Sequence, residues 1–350
     1  MRARFVCVRI TKMNDQDIAR FDFDLDTTWS AFFLDSDLNI YSRYGGRDHR
    51  EPEDRMSKES LLQTMREVLE VHNRRNKLSA DDLQSLFHPG TAEPQVPDDI
   101  PLLKQGHRGC LHCHQVREYQ LLQWGLDGGF DRRKLFRWPV PESLGIVLEH
   151  QHGHRIEAVE PSTAADAAGL KPGDMLTRVN DVPIHSELDI RWALDQADDD
   201  RPLRFLARRS DESGKAALVE IDVQPSDDWR VTDLGWRKSL RSLPIEWGIR
   251  AYPLSASQRD KEGYGRDQLA LRVTWVRQRG LAMVLKLEKK DVIVALEGKS
   301  TNRRLSEFQS DLLARYQPGD EVHVSVIRDG AEVELTGEFP QWHTTQDTVP

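Results

Sequence analysis

A repeat constrains this chain more than any other feature. Residues 164–184, AADAAGLKPGDMLTRVNDVPI, and residues 282–301, AMVLKLEKKDVIVALEGKST, occupy matching places in two units of similar length. With Asp174 aligned on Asp291, Met175-Leu176 falls on Val292-Ile293 and Val179 on Leu296. A helix-like stretch follows each, Leu188–Leu194 in the first and Leu305–Leu313 in the second. Two strand-like stretches come next, Leu203–Arg208 and Ala217–Val223, then QPGDEVHVSVIRDG and AEVELTG in the second copy. Repetition at this spacing predicts two similar domains, 141–225 and 236–340, and not one large core. In a chain of 350 residues, that leaves two further regions, 1–75 and 76–140, to be explained.

Region 1–75 alternates like strands and then turns helical. MRARFVCVRITKM is too short and too interrupted by Arg and Lys for a signal peptide. It reads as a strand, with Phe5, Cys7 and Arg9 on one face and Val6, Val8 and Ile10 on the other; Cys7 is then expected to be a buried, unreactive thiol. Trp29–Leu34 and Asn39–Tyr44 read as a hairpin turning at Asp35, Ser36 and Asp37 and ending in Gly45-Gly46. SKESLLQTMREVLEVHN offers Ser57 and Ser60 as caps, with Leu61, Leu62, Met65, Val68 and Leu69 on one helical stripe. Region 76–140 is polar and interrupted by Pro89, Pro94, Pro97 and Pro101, and is read as a linker or a segment organised by a ligand.

At AAGLKPGDMLTRVNDVPI the first copy resembles bacterial PDZ domains, in which a small-residue turn of the form A-G-L-x-x-G-D leads into a strand. The local chemistry suits such a turn: Gly169 and Gly173 permit tight backbone bends, Asp174 can accept from turn amides, and Leu170 plugs the core. The resemblance implies an extended peptide, often a C-terminal one, added to a sheet edge with its carboxylate held by loop amides. The matching loop is PESLGIVL, so the amides of Leu144, Gly145 and Ile146 are expected to face the carboxylate, and Leu188 and Trp192 to shape the side-chain pocket. In the second copy Lys286 and Lys290 replace the two glycines, although PIEWGIRA still offers a turn at Trp247-Gly248-Ile249. Peptide binding is expected at the first copy more than at the second. The PDZ units resemble those of HtrA-type proteases, but there is no G-x-S-x-G or comparable serine turn and no barrel pattern before them. No catalytic residues are assigned, and the chain is not expected to be an enzyme.

FVCVRITKM, the hairpin and the helix together are similar to the second half of a thioredoxin-like domain. The arrangement resembles a bacterial family that joins a thioredoxin-like (Trx7) domain to PDZ units, with Cys or selenocysteine at its N-terminal redox site. That family's redox C-x-x-C lies before the residues where this chain begins, and Thr27-Thr28 stand in place of the usual proline. The resemblance therefore implies that Met1 is an internal start and that a longer product carries the missing unit and an export signal. A thiol–disulfide oxidoreductase whose active half lies outside this chain is the alternative function.

Cys110, Cys113 and His114 spell C-x-x-C-H, and three chemistries fit those letters. Covalent c-type haem needs two thiols at this spacing and the next histidine on iron, which would make an electron-transfer protein. A dithiol needs Cys110 near a helix N-terminus, where QVREYQLLQW could supply the helix. Zinc needs four ligands, and Cys110 and Cys113 with two of His107, His112 and His114 could supply them, though adjacent histidines do not converge. The histidines of EHQHGHR, 150, 152 and 154, read as a solvated turn. So do the acidic clusters Asp195–Asp200 and Asp227-Asp228, and Asp22, Asp24 and Asp26 read as surface.

A formal net charge of −9 opposes a general nucleic-acid role, and no run of 18 apolar residues is present to cross a membrane as a helix. The fold expected is α+β and multidomain, a partial thioredoxin-like segment followed by two PDZ-like β-barrel or sandwich units with helices. The function expected is non-catalytic binding of protein or peptide C-termini, and a cell-envelope location is implied by the family and the C-x-x-C-H.

Overall fold

Ser57 follows a turn and, with extended backbone of its own, caps the first long helix. Its side chain accepts from Ser60 N (3.0 Å) while Ser60 Oγ accepts from Ser57 N (3.2 Å), a reciprocal cap that opens α1 (Lys58–Arg74). Before it, β1 (Ser30–Leu34) and β2 (Ile40–Gly45) form an antiparallel hairpin. The Asp35 carboxylate closes that turn, accepting from Asp37 N and Asn39 N at 2.9 Å each. Phe33, Tyr41, Tyr44, Val68, Val71 and Phe87 are the buried core between hairpin and helix.

The computed structural model describes residues 2–90, 93–106, 109–127, 131–211, 213–242, 247–277 and 279–340. His107, one of the zinc alternatives, lies outside the described residues. The chain divides into two compact units, one built on residues up to 117 with 133–232, the other on 118–132 with 233 onward. The secondary structure mixes helices with sheets that are antiparallel throughout.

Residues 5–10 are not a strand. They run as extended coil with Val6 96% and Val8 81% exposed and Cys7 exposed as well; Phe5 alone packs, its ring 5.8 Å from that of Phe33. Alternation gives a segment two faces, but a strand also needs a pairing partner, and among the described residues β1 and β2 pair only with each other. The stretch 76–140 carries α2 (Ala80–Gln84), α3 (Pro101–Gly106), α4 (Cys113–Leu126) and α5 (Arg132–Leu135). Pro97 and Pro101 open helical turns there, where a missing N–H costs nothing. Ile100, Leu102, Leu103, Leu111, Leu135, Phe136 and Trp138 are all buried. Three of these helices are too short for an apolar period to repeat, so the pattern is invisible in sequence.

The first repeat contains β3 (Ile146–Leu148), β4 (Ile156–Val159), α6 (Ala164–Ala168), β5 (Met175–Val179), β6 (Val182–Pro183), α7 (Glu187–Gln196), β7 (Leu203–Ser210) and β8 (Ala216–Val223). β3 and β4 pair with each other, and the remaining strands are ordered β6-β5-β7-β8. The second contains β9 (Ile249–Pro253), α8 (Ala256–Glu262), β10 (Leu271–Val276), α9 (Leu281–Val284), β11 (Val292–Leu296), α10 (Leu305–Arg315), β12 (Glu321–Arg328) and β13 (Ala331–Glu338). Its strands form one sheet, ordered β13-β12-β11-β10-β9.

One device recurs in both copies. Arg209 on β7 holds Asp174 with Nε at 2.7 Å and Nη2 at 2.6 Å and donates to Gly169 O (2.9 Å). Arg328 on β12 holds Asp291 at 2.9 and 2.8 Å and donates to Lys286 O (2.9 Å). Each aspartate also accepts from a turn amide, Lys171 N at 3.0 Å or Glu288 N at 2.7 Å. The bidentate fork thus pins the turn to the penultimate strand of its unit. Gly169 and Gly173 sit at φ +83° and +89°, and Lys286 and Lys290 keep the same left-handed backbone at φ +55° and +87°. Losing the glycines has not changed the turn, because the clamp holds it and a Cβ at Gly169 or Gly173 would meet nothing within 4 Å.

It follows that Gly169→Lys and Gly173→Lys should each destabilise by only about 1–2 kcal/mol, the left-handed backbone cost. Gly145→Ala should cost more, since its Cβ would fall 2.1 Å from Thr163 Oγ1. Urea unfolding of the three variants checks the ranking.

Candidate functional site

The loop expected to face a peptide carboxylate forms as a helical turn, Pro141–Leu144, ended by Gly145 at φ +87°. Gly145 N donates back to Glu142 O (3.0 Å), and Glu160 N donates to Gly145 O (2.9 Å). That bond makes Ile146 and Val159 a non-hydrogen-bonded pair, so the Ile146 amide faces away from β4. Leu144 and Ile146 are buried.

Across from this loop, α7 does not face solvent. Every residue from Glu187 to Asp195 is buried, with Leu188 at 0% and Trp192 at 2% exposure. The cover is the N-terminal segment. Asp189 accepts from Arg43 N (2.6 Å), Ser42 Oγ (2.7 Å) and His185 N (2.9 Å), and the α7 cap Ser186 donates to Arg43 O. The Arg43 guanidinium lies 4.1 Å over the Trp192 ring, and His88 stacks on the same ring at 5.1 Å. Burial pulls the Arg43 pKa down to about 10 against the pull of Asp189. Burial, with Arg43 beside it, pushes the His88 pKa well below its usual range.

A second set of contacts closes the space between helix and loop. Arg55 reaches Glu187 on α7 (2.9 Å), Glu142 in the loop (2.7 Å) and Asp48 (2.7 Å). Arg191 donates to Asp24 Oδ2 and Trp138 O at 3.1 Å each and to Arg47 O at 3.1 Å. Arg137 ties Asp22 (2.7 Å) to Asp195 (2.5 Å). Asp24, Asp26 and Asp195, expected at the surface, are instead buried; Asp24 and Asp195 sit in ion pairs, as buried charge requires. His154, expected in a solvated turn, is 2% exposed and meets Glu67 Oε1 of α1 at 3.4 Å, while His185 meets Glu67 Oε2 at 3.2 Å. Burial alone would raise the Glu67 carboxyl; the bonds from His154, His185 and Gln63 outweigh it and hold it well below the usual carboxylate range.

The equivalent region of the second copy is different. Gly248 sits at φ +66°, where a Cβ would fall 2.3 Å from Arg279 O. Arg277 N donates to Gly248 O (2.7 Å), so Ile249 pairs with Val276 as Ile146 does with Val159, and its amide faces away from β10. Among the described residues β9 pairs with β10 alone, leaving its other edge without a strand. A narrow apolar cleft opens beside it. Trp247, Ile249, Leu285, Leu305, Phe308 and Leu312 line it, and Gln309 is the one polar side chain of the lining. Aligned on the helix caps Ser186 and Arg304, Glu187 and Arg191 of α7 correspond to Leu305 and Gln309 of α10. The first copy carries charge where the second is apolar or neutral. The sequence signal for this was present in those two positions.

Cys110 is exposed just before α4, and Cys113 is its first residue, half-buried and followed by His114. Neither thiol is in a disulfide. Burial raises the Cys113 thiol pKa, which lowers its thiolate fraction. His112 and His114 stack at 6.2 Å. Among the described residues no three His, Cys, Asp or Glu side chains are grouped to hold a metal ion, and no helix is long and apolar enough to cross a membrane.

Comparison with known proteins gives a PDZ domain match over residues 155–209. No curated protein matches the chain. Among solved structures, the HtrA-type protease AlgW with a decapeptide is 17% identical, with TM-score 0.23, over 39% of this chain and 48% of that one. AlgW with a tripeptide is 20% identical, with TM-score 0.23, over 39% and 44%. An aminopeptidase N family protein from Idiomarina loihiensis is 16% identical, with TM-score 0.22, over 31% and 17%. This chain covers less than half the length of each.

The Glu67 contact has a pH signature. A carboxyl held below its unfolded value stabilises the fold fully above that value, about 4.3, and loses the contribution as pH falls through the folded value. Glu67→Gln should therefore destabilise by roughly 1–2 kcal/mol at pH 7 and by less at pH 3, where the unfolded carboxyl is protonated but the folded one is still ionised. Thermal unfolding of both proteins at the two pH values is the measurement.

Proposed function

We propose that this chain is a non-catalytic peptide-binding or scaffold protein, and that the groove of residues 236–340 is the one that takes the peptide. The observation that carries this reading is an unpartnered edge strand, β9, beginning at an apolar pocket. An extended peptide can add to β9 as a further strand, with main-chain bonds supplying affinity and the pocket supplying selectivity. Its last side chain enters between Ile249, Leu305 and Phe308, and its carboxylate meets the turn at Trp247–Ile249. The PDZ match over 155–209 supports the binding class, and the shared order of elements extends it to the second copy. The pocket lining offers no nucleophile and no acid or base, which suits binding rather than turnover.

In this reading the first groove is occupied by the chain's own N-terminal segment. Residues Leu144, Gly145, Ile146, Leu188 and Trp192 then serve to seat that segment. The Cys110–His114 motif takes no part.

Peptides ending in an aliphatic residue with a free carboxylate should bind in a fluorescence-polarisation titration. Amidation of the same peptide should weaken binding at least tenfold, and so should Leu305→Lys, which places a cation in the pocket mouth. Equal affinity across acid, amide and variant would reject the groove.

A further inference from the structure

The edge strand of the second unit says more about its ligand than that it is apolar at the end. Side chains alternate along β9: Ile249 lines the pocket and Ala251 is buried, while Arg250 and Tyr252 are exposed on the opposite face. Beside them on β10 stands Trp275, 41% exposed. The Arg250 and Arg277 guanidinium groups each lie 5.5 Å from its ring centroid, and Arg272 of the same strand is paired with Glu262. On a chain of net charge −9, this is a local cationic surface next to a sheet edge.

Resting on the groove reading above, we propose that the ligand is a peptide C-terminus with an acidic penultimate residue. Residues directly opposite each other on paired strands point to the same face and approach closely. If the last residue lies opposite Ile249 and turns into the pocket, the penultimate one lies opposite Arg250 and shares its exposed face. A carboxylate there meets a guanidinium already held over Trp275, which limits the side-chain freedom lost on binding. A lysine there meets like charge at the same distance.

Three peptides identical except for Glu, Gln or Lys at the penultimate position discriminate the idea, titrated against the full chain and its Arg250→Glu variant. The full chain should bind Glu over Lys by about tenfold with Gln between, the preference shrinking as salt is raised, and Arg250→Glu should reverse the order. Equal binding of the three peptides to both proteins would overturn the charge preference and leave the groove standing. Absence of binding by all three, in a protein whose unfolding transition is intact, would overturn both.

Discussion

Burying charge dictates how the first half of this molecule is built. Helix α7 carries Glu187, Asp189, Arg191 and Asp195, all withdrawn from water, and an unpaired buried ion costs several kcal/mol. None of the four finds its main partner within the repeat itself. Arg55 answers Glu187, Ser42 and Arg43 answer Asp189, Asp24 answers Arg191, and Arg137 answers Asp195. The hairpin, the segments on either side of it and Arg137 are thus the other half of an interface that the helix cannot do without.

The two copies then solve one problem in opposite ways. Both keep the Asp–Arg clamp and the left-handed turn, so the scaffold around the groove is the same. What differs is the polarity of the helix face beside it. Glu187 and Arg191 demand counter-charges and recruit a cover; Leu305 and Gln309 demand nothing and leave a pocket. Two copies of one fold can therefore differ in whether this helix face is covered, according to the charges the helix carries.

Local chemistry made part of this legible in the sequence. The hairpin, the Ser57 cap and the repeat rest on contacts between near neighbours, and the glycine turn at 169–173 announces itself. The docking of the N-terminal segment rests on contacts such as Ser42 with Asp189 and Asp24 with Arg191, separated by 147 and 167 residues. Nothing local distinguishes a buried aspartate awaiting an arginine from a solvated one, so Asp24 and Asp195 read as surface. Residues 5–10 differ in the reverse sense, since their alternation is strand-like but they lie exposed and pair with no strand among the described residues.

The separation between Arg43 and Asp189 also orders events in time. The hairpin leaves the ribosome before α7, and its seat there is made 146 residues later, roughly 7–30 s at ordinary elongation rates. For that interval Phe33, Tyr41 and Tyr44 can bury themselves against α1, but Ser42 and Arg43 have nothing to hold. Docking of the hairpin on this half of the molecule therefore waits for a helix made well after it.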